Sequence, residues 1–438
     1  MKQKLRILFV PIDATGHVNS AIGMAQVLMA AGHEITFGIS DQWTGKLEPY
    51  GIREIVWTLK GREDAGNNAA KYYAQDLKRK GILGPDGTPL DKAVIMFKDN
   101  GNEMFEACRD VDEHLAKAID TIQPDIIVCD QIISLTSITR SGIPWVLVCS
   151  CNPLTIMHDN RTPPPFSGLP TTGPYSEWQS YREAYIEGIH NTWKQINDYE
   201  LATGLPPLPA MSLINESKYL NIYGYPEELD YLDIRPLPEN WYRFDNLMRK
   251  EKHRPFELPK QLSTKPGKLI FFSLGSMGAV DVENMKRLVN ILGKSRNRFI
   301  VSKGPLGDEY DLPDNMWGQS SVPQIQVLPL VDLVINHGGN NTLNETIYFG
   351  KPMIVMPLFA DQYDNAQRVH EKGFGIRLDA YKCSEKILLS AIDKLLNDNE
   401  LREKMQKISQ RIQSDNNIIM GSVARRPPFR RKMSSDLC

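Results

Sequence analysis

Two residues far apart in the chain have the types that proton transfer requires. His17 ends the run Pro11-Ile-Asp-Ala-Thr-Gly-His17, just past the apolar segment Leu5–Val10. An imidazole there can take a proton from a hydroxyl near neutral pH. The same position also suits a capping or surface histidine. Asp130 follows the apolar run Asp125–Cys129. It can reach back to orient the His17 ring, as the acid of a triad does, or act as the N-cap of a following helix.

The strongest local signal is Asp332-Leu-Val-Ile-Asn-His-Gly-Gly-Asn-Asn-Thr-Leu-Asn-Glu345. An apolar run leads into His337, Gly338 and Gly339, and a helix is predicted to start near Asn341 or Thr342. Glycines let backbone approach a ligand closely, and a helix N-terminus offers free N–H groups and partial positive charge. This is chemistry for an anion, above all a phosphate. The spacing Thr342-x-x-Glu345 is also that of a capping box. Asp361-Gln362 follows the apolar run Pro352–Met356 and the loop Pro357–Ala360. The pair can bond sugar hydroxyls, or Asp361 can cap a helix. Ser276 lies just past the apolar run Lys268–Leu274, where its hydroxyl and N–H can hold a phosphate oxygen. Neither GxGxxG nor a Walker sequence is present. Asp110-Val-Asp112 matches a metal-binding DxD pattern, but in a helix i and i+2 do not share a face, so a solvated face is expected and no metal.

These residues need elements to hold them. Leu5–Val10, Glu34–Ile39, Asp125–Cys129 and Pro144–Cys149 read as strands, with a helix over Val18–Ala31. Lys268–Leu274, Arg298–Ser302, Asp332–Asn336 and Pro352–Met356 repeat the pattern, separated by helices near 281–293, 340–349, 360–372, 384–396 and 399–413. Continuous apolar runs, not alternation, are the mark of buried parallel strands. Residues 61–122 read as mostly helical, and 152–174, rich in Pro, Thr and Gly, as a long loop. The expected organisation is α/β, with a Rossmann-like domain over 1–235, a proline-rich linker over 236–267, a second Rossmann-like domain over 268–415 and a basic tail over 416–438. Ligands of such sheets bind beyond the carboxyl ends of the strands, so those edges should line a cleft between the domains.

At 438 residues, 41% hydrophobic and 24% charged, the composition is that of an ordinary globular protein. The net charge of −2 excludes a large basic footprint for nucleic acid. No apolar run approaches the ~18 residues of a membrane span. Six cysteines without a CxxC pair suit a reducing, cytoplasmic setting. The tail holds Arg425, Arg426, Arg430, Arg431 and Lys432 around Pro427-Pro428, and residues from about 420 are expected to be poorly ordered, weakening closure of the domains.

Taken together, these motifs resemble the UDP-glycosyltransferases of the GT-B fold, in which two doubly wound Rossmann-like domains face each other across a cleft. The resemblance runs from Arg6 to about Gln413 and is most specific between Val322 and Gln367. Val322-Pro-Gln324, His337-x-Gly-x-Asn-Thr-x-x-Glu345, Gly350-Lys-Pro-Met353 and Asp361-Gln362 follow the family's nucleotide-sugar signature in order. The chain is similar to soluble forms, the bacterial macrolide glycosyltransferases and the spider-mite enzymes that resemble them. The resemblance implies that His337, Gly339, Asn341 and the Thr342 backbone hold the diphosphate, with Ser276 at the β-phosphate. Glu345 and Gln324 would take the ribose, the Val322 backbone the uracil, and Asp361 and Gln362 the sugar. His17 would be the base and Asp130 its orienting acid. One departure is Ser321, where many family members have Trp; Trp317 lies four positions earlier.

The implied partners are a UDP-sugar, with glucose the first expectation, and a small lipophilic acceptor such as a flavonoid, phenol or xenobiotic. No metal, other cofactor, nucleic acid or membrane anchor is expected, and the chain should be a monomer. Met96, Phe97, Phe105, Met157, Phe166 and Trp193 are the candidates for an acceptor pocket, or else core. Two alternatives stand beside transfer: a degenerate GT-B protein that sequesters ligands without turnover, and a GT-B nucleotide-sugar epimerase.

Overall fold

A computed structural model describes residues 4–60, 69–98, 101–210, 212–251 and 256–414. Thirteen strands form two sheets among these residues. The first contains β1 (Arg6–Pro11), β2 (Glu34–Ser40), β3 (Arg53–Trp57), β4 (Ile126–Asp130), β5 (Trp145–Cys149), β6 (Leu220–Gly224) and β7 (Trp241–Phe244), in the order β3-β2-β1-β4-β5-β6-β7. The second contains β8 (Leu269–Ser273), β9 (Arg298–Ser302), β10 (Met316–Gln319), β11 (Leu333–Asn336), β12 (Met353–Val355) and β13 (Gly375–Arg377), ordered β10-β9-β8-β11-β12-β13. Every pairing is parallel. Helices cover the sheets, so central strands such as Leu269-Ile-Phe-Phe-Ser273 are buried along their whole length. This is the GT-B arrangement.

Strand order reverses at β1/β4 in the first sheet and at β8/β11 in the second. Such switch points leave a crevice at the carboxyl ends of the strands, because the two connecting helices run off in opposite directions. His17 follows β1, Asp130 ends β4, and His337 follows β11. The topology therefore delivers the polar residues to the two crevices.

The expected linker needs correction. β7 lies inside 236–267 and hydrogen-bonds β6, so the first sheet continues past residue 235. Trp241-Tyr-Arg-Phe carries a charge in a four-residue strand at the sheet edge, where one side is unpaired, and it gives no apolar run. The same reason hides β3, β10 and β13, each short, at an edge and containing Arg, Glu, Gln or Gly. A 28-residue helix, Tyr175–Ala202, also gave no clear signal because its buried side mixes Ile189 and Ile196 with Trp178, Tyr181, Tyr185, Thr192, Asn197 and Glu200.

The basic tail lies outside the described residues. The helix before it, Asn399–Ser414, does reach the first domain. Arg411 donates to Glu228 through Nε and Nη2, each at 2.7 Å, and to Asp245 at 2.8 and 2.9 Å. Charge-assisted forks of this kind fix geometry as well as adding energy; the expectation about closure concerns the tail beyond this helix, outside the described residues. Arg411→Ala is expected to cost about 1–2 kcal/mol, allowing for partial exposure. Thermal unfolding should show this as a midpoint lowered by roughly 2–5 °C.

Candidate active site

In the first domain the expected pair comes together. β1 and β4 are neighbours in register, with Pro11 beside Asp130. The helix Thr15–Ala30 starts immediately beyond β1 and presents His17 on its first turn. His17 Nδ1 lies 3.0 Å from Asp130 Oδ2. Asp130 is not an N-cap, since the next helix, Thr136–Arg140, begins after Leu135. Nor is His17 a surface residue, at 17% exposure. Burial of the imidazole disfavours its charge, but the Asp130 carboxylate, with Asp361 further away, outweighs this and raises the His17 pKa. With Nδ1 turned to Asp130, Nε2 is left as the basic nitrogen, and Cys151 Sγ lies 3.9 Å from it.

The second domain contributes the glycine turn after β11. Gly338 has a φ of 87°. A Cβ on Gly339 would come within 2.5 Å of His337 Nε2, and one on Gly275 within 2.7 Å of the same ring. Only glycines allow the imidazole to sit between the two loops, next to the exposed Ser276. Burial holds His337 down to about 4, against a hydrogen bond to the Ser273 backbone, so it is neutral at pH 7. The helix Asn340–Tyr348 is N-capped by Gly339 without a side-chain bond, which removes the capping-box reading of Thr342 and Glu345. Gln324 Nε2 instead donates to Thr342 Oγ1 at 3.2 Å and also to Glu345.

Arg249 was not anticipated. Its Nη1 lies 3.4 Å from Glu345 Oε1, and its Nη2 pairs with Glu251. Burial raises the Glu345 pKa, against the pull of Arg249 and Gln324. A lone arginine in a proline-rich segment has no local signal; only the return of the chain after β7 places it here.

Several residues of the second-domain motifs are engaged by the first domain. Asn341 Oδ1 accepts from Ser20 Oγ at 2.7 Å, and its Nδ2 donates to Gly16 O. Asp361 Oδ2 accepts from the Asn152 N–H at 2.9 Å and makes no capping bond to its own helix. Gln362 Oε1 accepts from the Leu358 and Phe359 N–H groups at 3.0 and 3.4 Å, shaping the loop in front of it. Val322 is buried in the core. Trp317 does not replace the aromatic missing at Ser321: it packs on Phe256, ring centroids 5.6 Å apart.

The acceptor candidates form mostly one cluster. Phe97 and Phe166 are buried, and Met96, Phe105 and Trp193 pack around them, with Ala360 of the second domain at the margin. Met157 belongs to a different cluster, the main core. Asp110 and Asp112 are also corrected: they are buried, not solvated. They diverge, Asp110 accepting from the Lys60 N–H and Asp112 from Thr136 Oγ1 and the Ser137 N–H. Among the described residues, no group of three His, Cys, Asp or Glu is arranged to hold a metal, and no helix is long and apolar enough to cross a membrane.

The long loop straps across the interface. Asp364 accepts from the Phe166 and Gly168 N–H groups at 2.7 and 2.9 Å. Burial raises its pKa to about 7, against these two bonds and the nearby Arg377. The unfolded value is about 3.9, so the folded state prefers the protonated acid. Stability from this group is full below the unfolded value, is lost as pH rises from about 4 to about 7 and is flat above that. Asp364→Asn should remove that gradient, read as denaturant midpoints between pH 5 and 7.5.

The chain is similar to known proteins in sequence and in fold. The sequence model of one family, described as UDP-glucoronosyl and UDP-glucosyl transferase, matches residues 243–418. A sterol 3-beta-glucosyltransferase of Komagataella phaffii is 21% identical over 435 residues, which are 95% of this chain but 34% of that protein. The chain thus spans about a third of that relative's length. The NDP-glycosyltransferase YjiC of Bacillus subtilis is 21% identical over 93% of each chain. Among solved structures, a glycotransferase of kitacinnamycin superposes with a TM-score of 0.67 at 17% identity, covering 94% of this chain and 96% of its own.

Proposed function

We propose, from the match of residues 243–418 to the UDP-glucoronosyl and UDP-glucosyl transferase family model, that this chain transfers a sugar from a UDP-sugar to a hydroxyl of a small lipophilic acceptor. Glucose is the sugar proposed. The observation that carries this reading is that His17 and Asp130 pair at 3.0 Å in one domain, both touching Ser150, while Asp361 of the other domain accepts from the N–H of Asn152, two residues further on. A base, its orienting acid and a sugar-binding carboxylate then meet at one point between the two sheets.

In this reading His17 Nε2 takes the proton of the acceptor hydroxyl. The oxygen attacks the anomeric carbon from the face opposite the nucleotide, the bond to the diphosphate oxygen breaks, and configuration inverts. Asp130 stabilises the imidazolium formed. Charge on the departing UDP falls on the N-terminus of Asn340–Tyr348 and on the neutral His337, whose ring can donate a hydrogen bond. Sugar binding exchanges the bond between Asp361 and the Asn152 N–H for sugar hydroxyls. The aromatic cluster around Phe97 and Phe166, reaching Ala360 beside Asp361, supports a lipophilic acceptor.

The engagement of Asn341 and Asp361 by the first domain also fits a protein that binds ligands without turnover. Incubation with UDP-glucose and a mixed panel of phenols and flavonoids separates the two. A hexose increment by mass spectrometry is the expected result. Acceptor binding with neither product nor donor hydrolysis would establish the sequestering alternative.

A further inference from the structure

Ser150 stands directly after β5, the strand beside β4, and it touches everything that sets the base. Its Oγ lies 2.7 Å from Asp130 Oδ2 and 2.8 Å from His17 Nδ1. Its N–H donates to Asp130 Oδ1 at 3.3 Å. Both oxygens of the carboxylate are thus held by one residue. Its carbonyl is held in turn from the other domain: Asn340 Nδ2 donates to Ser150 O at 2.8 Å and to Gly224 O at 3.1 Å. One turn along the same helix, Asn344 Nδ2 donates to Gly224 O at 2.9 Å. Asn340 and Asn344 are buried, so these amides are directed at the first domain and not at solvent.

We propose that Ser150 is a positioning residue for the His17–Asp130 pair, and that Asn340 of the nucleotide-sugar turn holds Ser150 in place, so that docking of the donor domain sets the base. The inference rests on the reading of His17 as base. The hydroxyl has one proton. The carboxylate is the stronger acceptor, because charge-assisted bonds are shorter and stronger than neutral ones, so the proton goes to Asp130 Oδ2. That bond draws negative charge away from the side of the carboxylate that faces His17. A lone pair of the same oxygen remains toward the Nδ1–H and limits rotation of the ring.

The groups placed against His17 among the described residues include four that bear on its titration. Asp130 comes from β4, Ser150 and Cys151 from the segment after β5, and Asp361 from the loop after β12. Burial pushes the Cys151 thiol well above its ordinary range, so it stays neutral when His17 titrates. Asp130 and Asp361 are the two charges that matter. Loss of the Ser150 hydroxyl leaves the full carboxylate charge of Asp130 on the imidazole and raises its pKa.

The test is a histidine titration followed by NMR in the full chain, with the His17 resonance assigned from His17→Asn, alongside pH profiles of sugar transfer. In Ser150→Ala the pKa of His17 should rise by about 0.5 unit, and the rising limb of the rate profile should move with it. kcat should fall about tenfold with little change in KM for the UDP-sugar. Ser150→Thr, which keeps the hydroxyl, should restore both. Asn340→Ala should lower kcat several-fold and leave the dissociation constant of UDP unchanged. A His17 pKa that stays put or falls in Ser150→Ala, with only a lower plateau, would reduce Ser150 to packing and overturn the inference. A weakened UDP affinity with unchanged kcat in Asn340→Ala would overturn the link between the domains. Retained transfer in His17→Ala would instead remove the base assignment, while the NMR shift, needing no turnover, still decides the role of Ser150.

Discussion

Sugar transfer by His17→Ala is expected to fall by about 10²–10⁴-fold, the range that positioned general-base catalysis supplies. The loss should be in kcat. His17 lies on the first-domain side of the interface, on the first turn of Thr15–Ala30, whereas the groups proposed for the nucleotide are on the second domain. UDP affinity by calorimetry should therefore stay within about twofold of the parent. The residual rate reflects what His337, the helix N-terminus and simple proximity still contribute. His17→Asn, which keeps a polar side chain near Asp130 Oδ2 but has no basic nitrogen, should be as slow as alanine. Near-normal turnover of alcohol or phenol acceptors by either variant sinks the base assignment. The pH profile gives an independent reading: Asp130 raises the His17 pKa, so the rate should climb through a limb above the ordinary histidine value of about 6.5.

The second large effect is expected at Glu345. Its side chain is 5% exposed, with Gln324 and Arg249 on its two oxygens. In the proposed function it accepts hydrogen bonds from both ribose hydroxyls. A hydrogen bond to a charged group is worth about 1.5–3 kcal/mol, and about 1.4 kcal/mol is a factor of ten. Part of the ribose gain is offset because Arg249 already occupies the carboxylate and must give way. Glu345→Ala should therefore weaken UDP on the order of 10²-fold, with kcat at saturating donor much less affected. Glu345→Gln, which keeps one acceptor, should fall between. A dissociation constant for UDP within twofold of the parent in Glu345→Ala would place the ribose elsewhere. Arg249 keeps Glu251 as a partner in these variants, so neither leaves a buried cation unpaired.

The central strands other than β6, and the residues at their ends, were legible from local pattern; in β6, Leu220-Asn-Ile-Tyr-Gly224, a buried Asn breaks the apolar run. β1, β4, β5, β8, β9, β11 and β12 are continuous apolar runs because parallel strands under helices are dry on both faces. Each of His17, Asp130, His337 and Asp361 was readable as a polar residue just past such a run. The edge strands were not, because an edge tolerates charge and short length. The roles of ambiguous residues were also not readable. Thr342 and Glu345 have capping-box spacing, yet the helix starts at Asn340, and their side chains turn to Gln324 and Arg249. Asp112 has the look of a solvated helix residue, yet it caps Thr136–Arg140.

Sequence alone determined the fold class, the crevice-facing loops and the chemistry each loop can offer, since these follow from hydrophobic runs and from residue types a few positions apart. Tertiary structure decided which of those offers are taken up. His17 meets Asp130 across 113 residues because β1 and β4 are adjacent in register. Arg249 reaches Glu345 across 96 residues because the chain turns back after β7. Asn340 reaches Ser150 across 190 residues because one domain docks on the other. A buried polar group must find a partner or incur its desolvation cost, and which partner is within reach is set by strand order and domain docking, neither of which has a local signature.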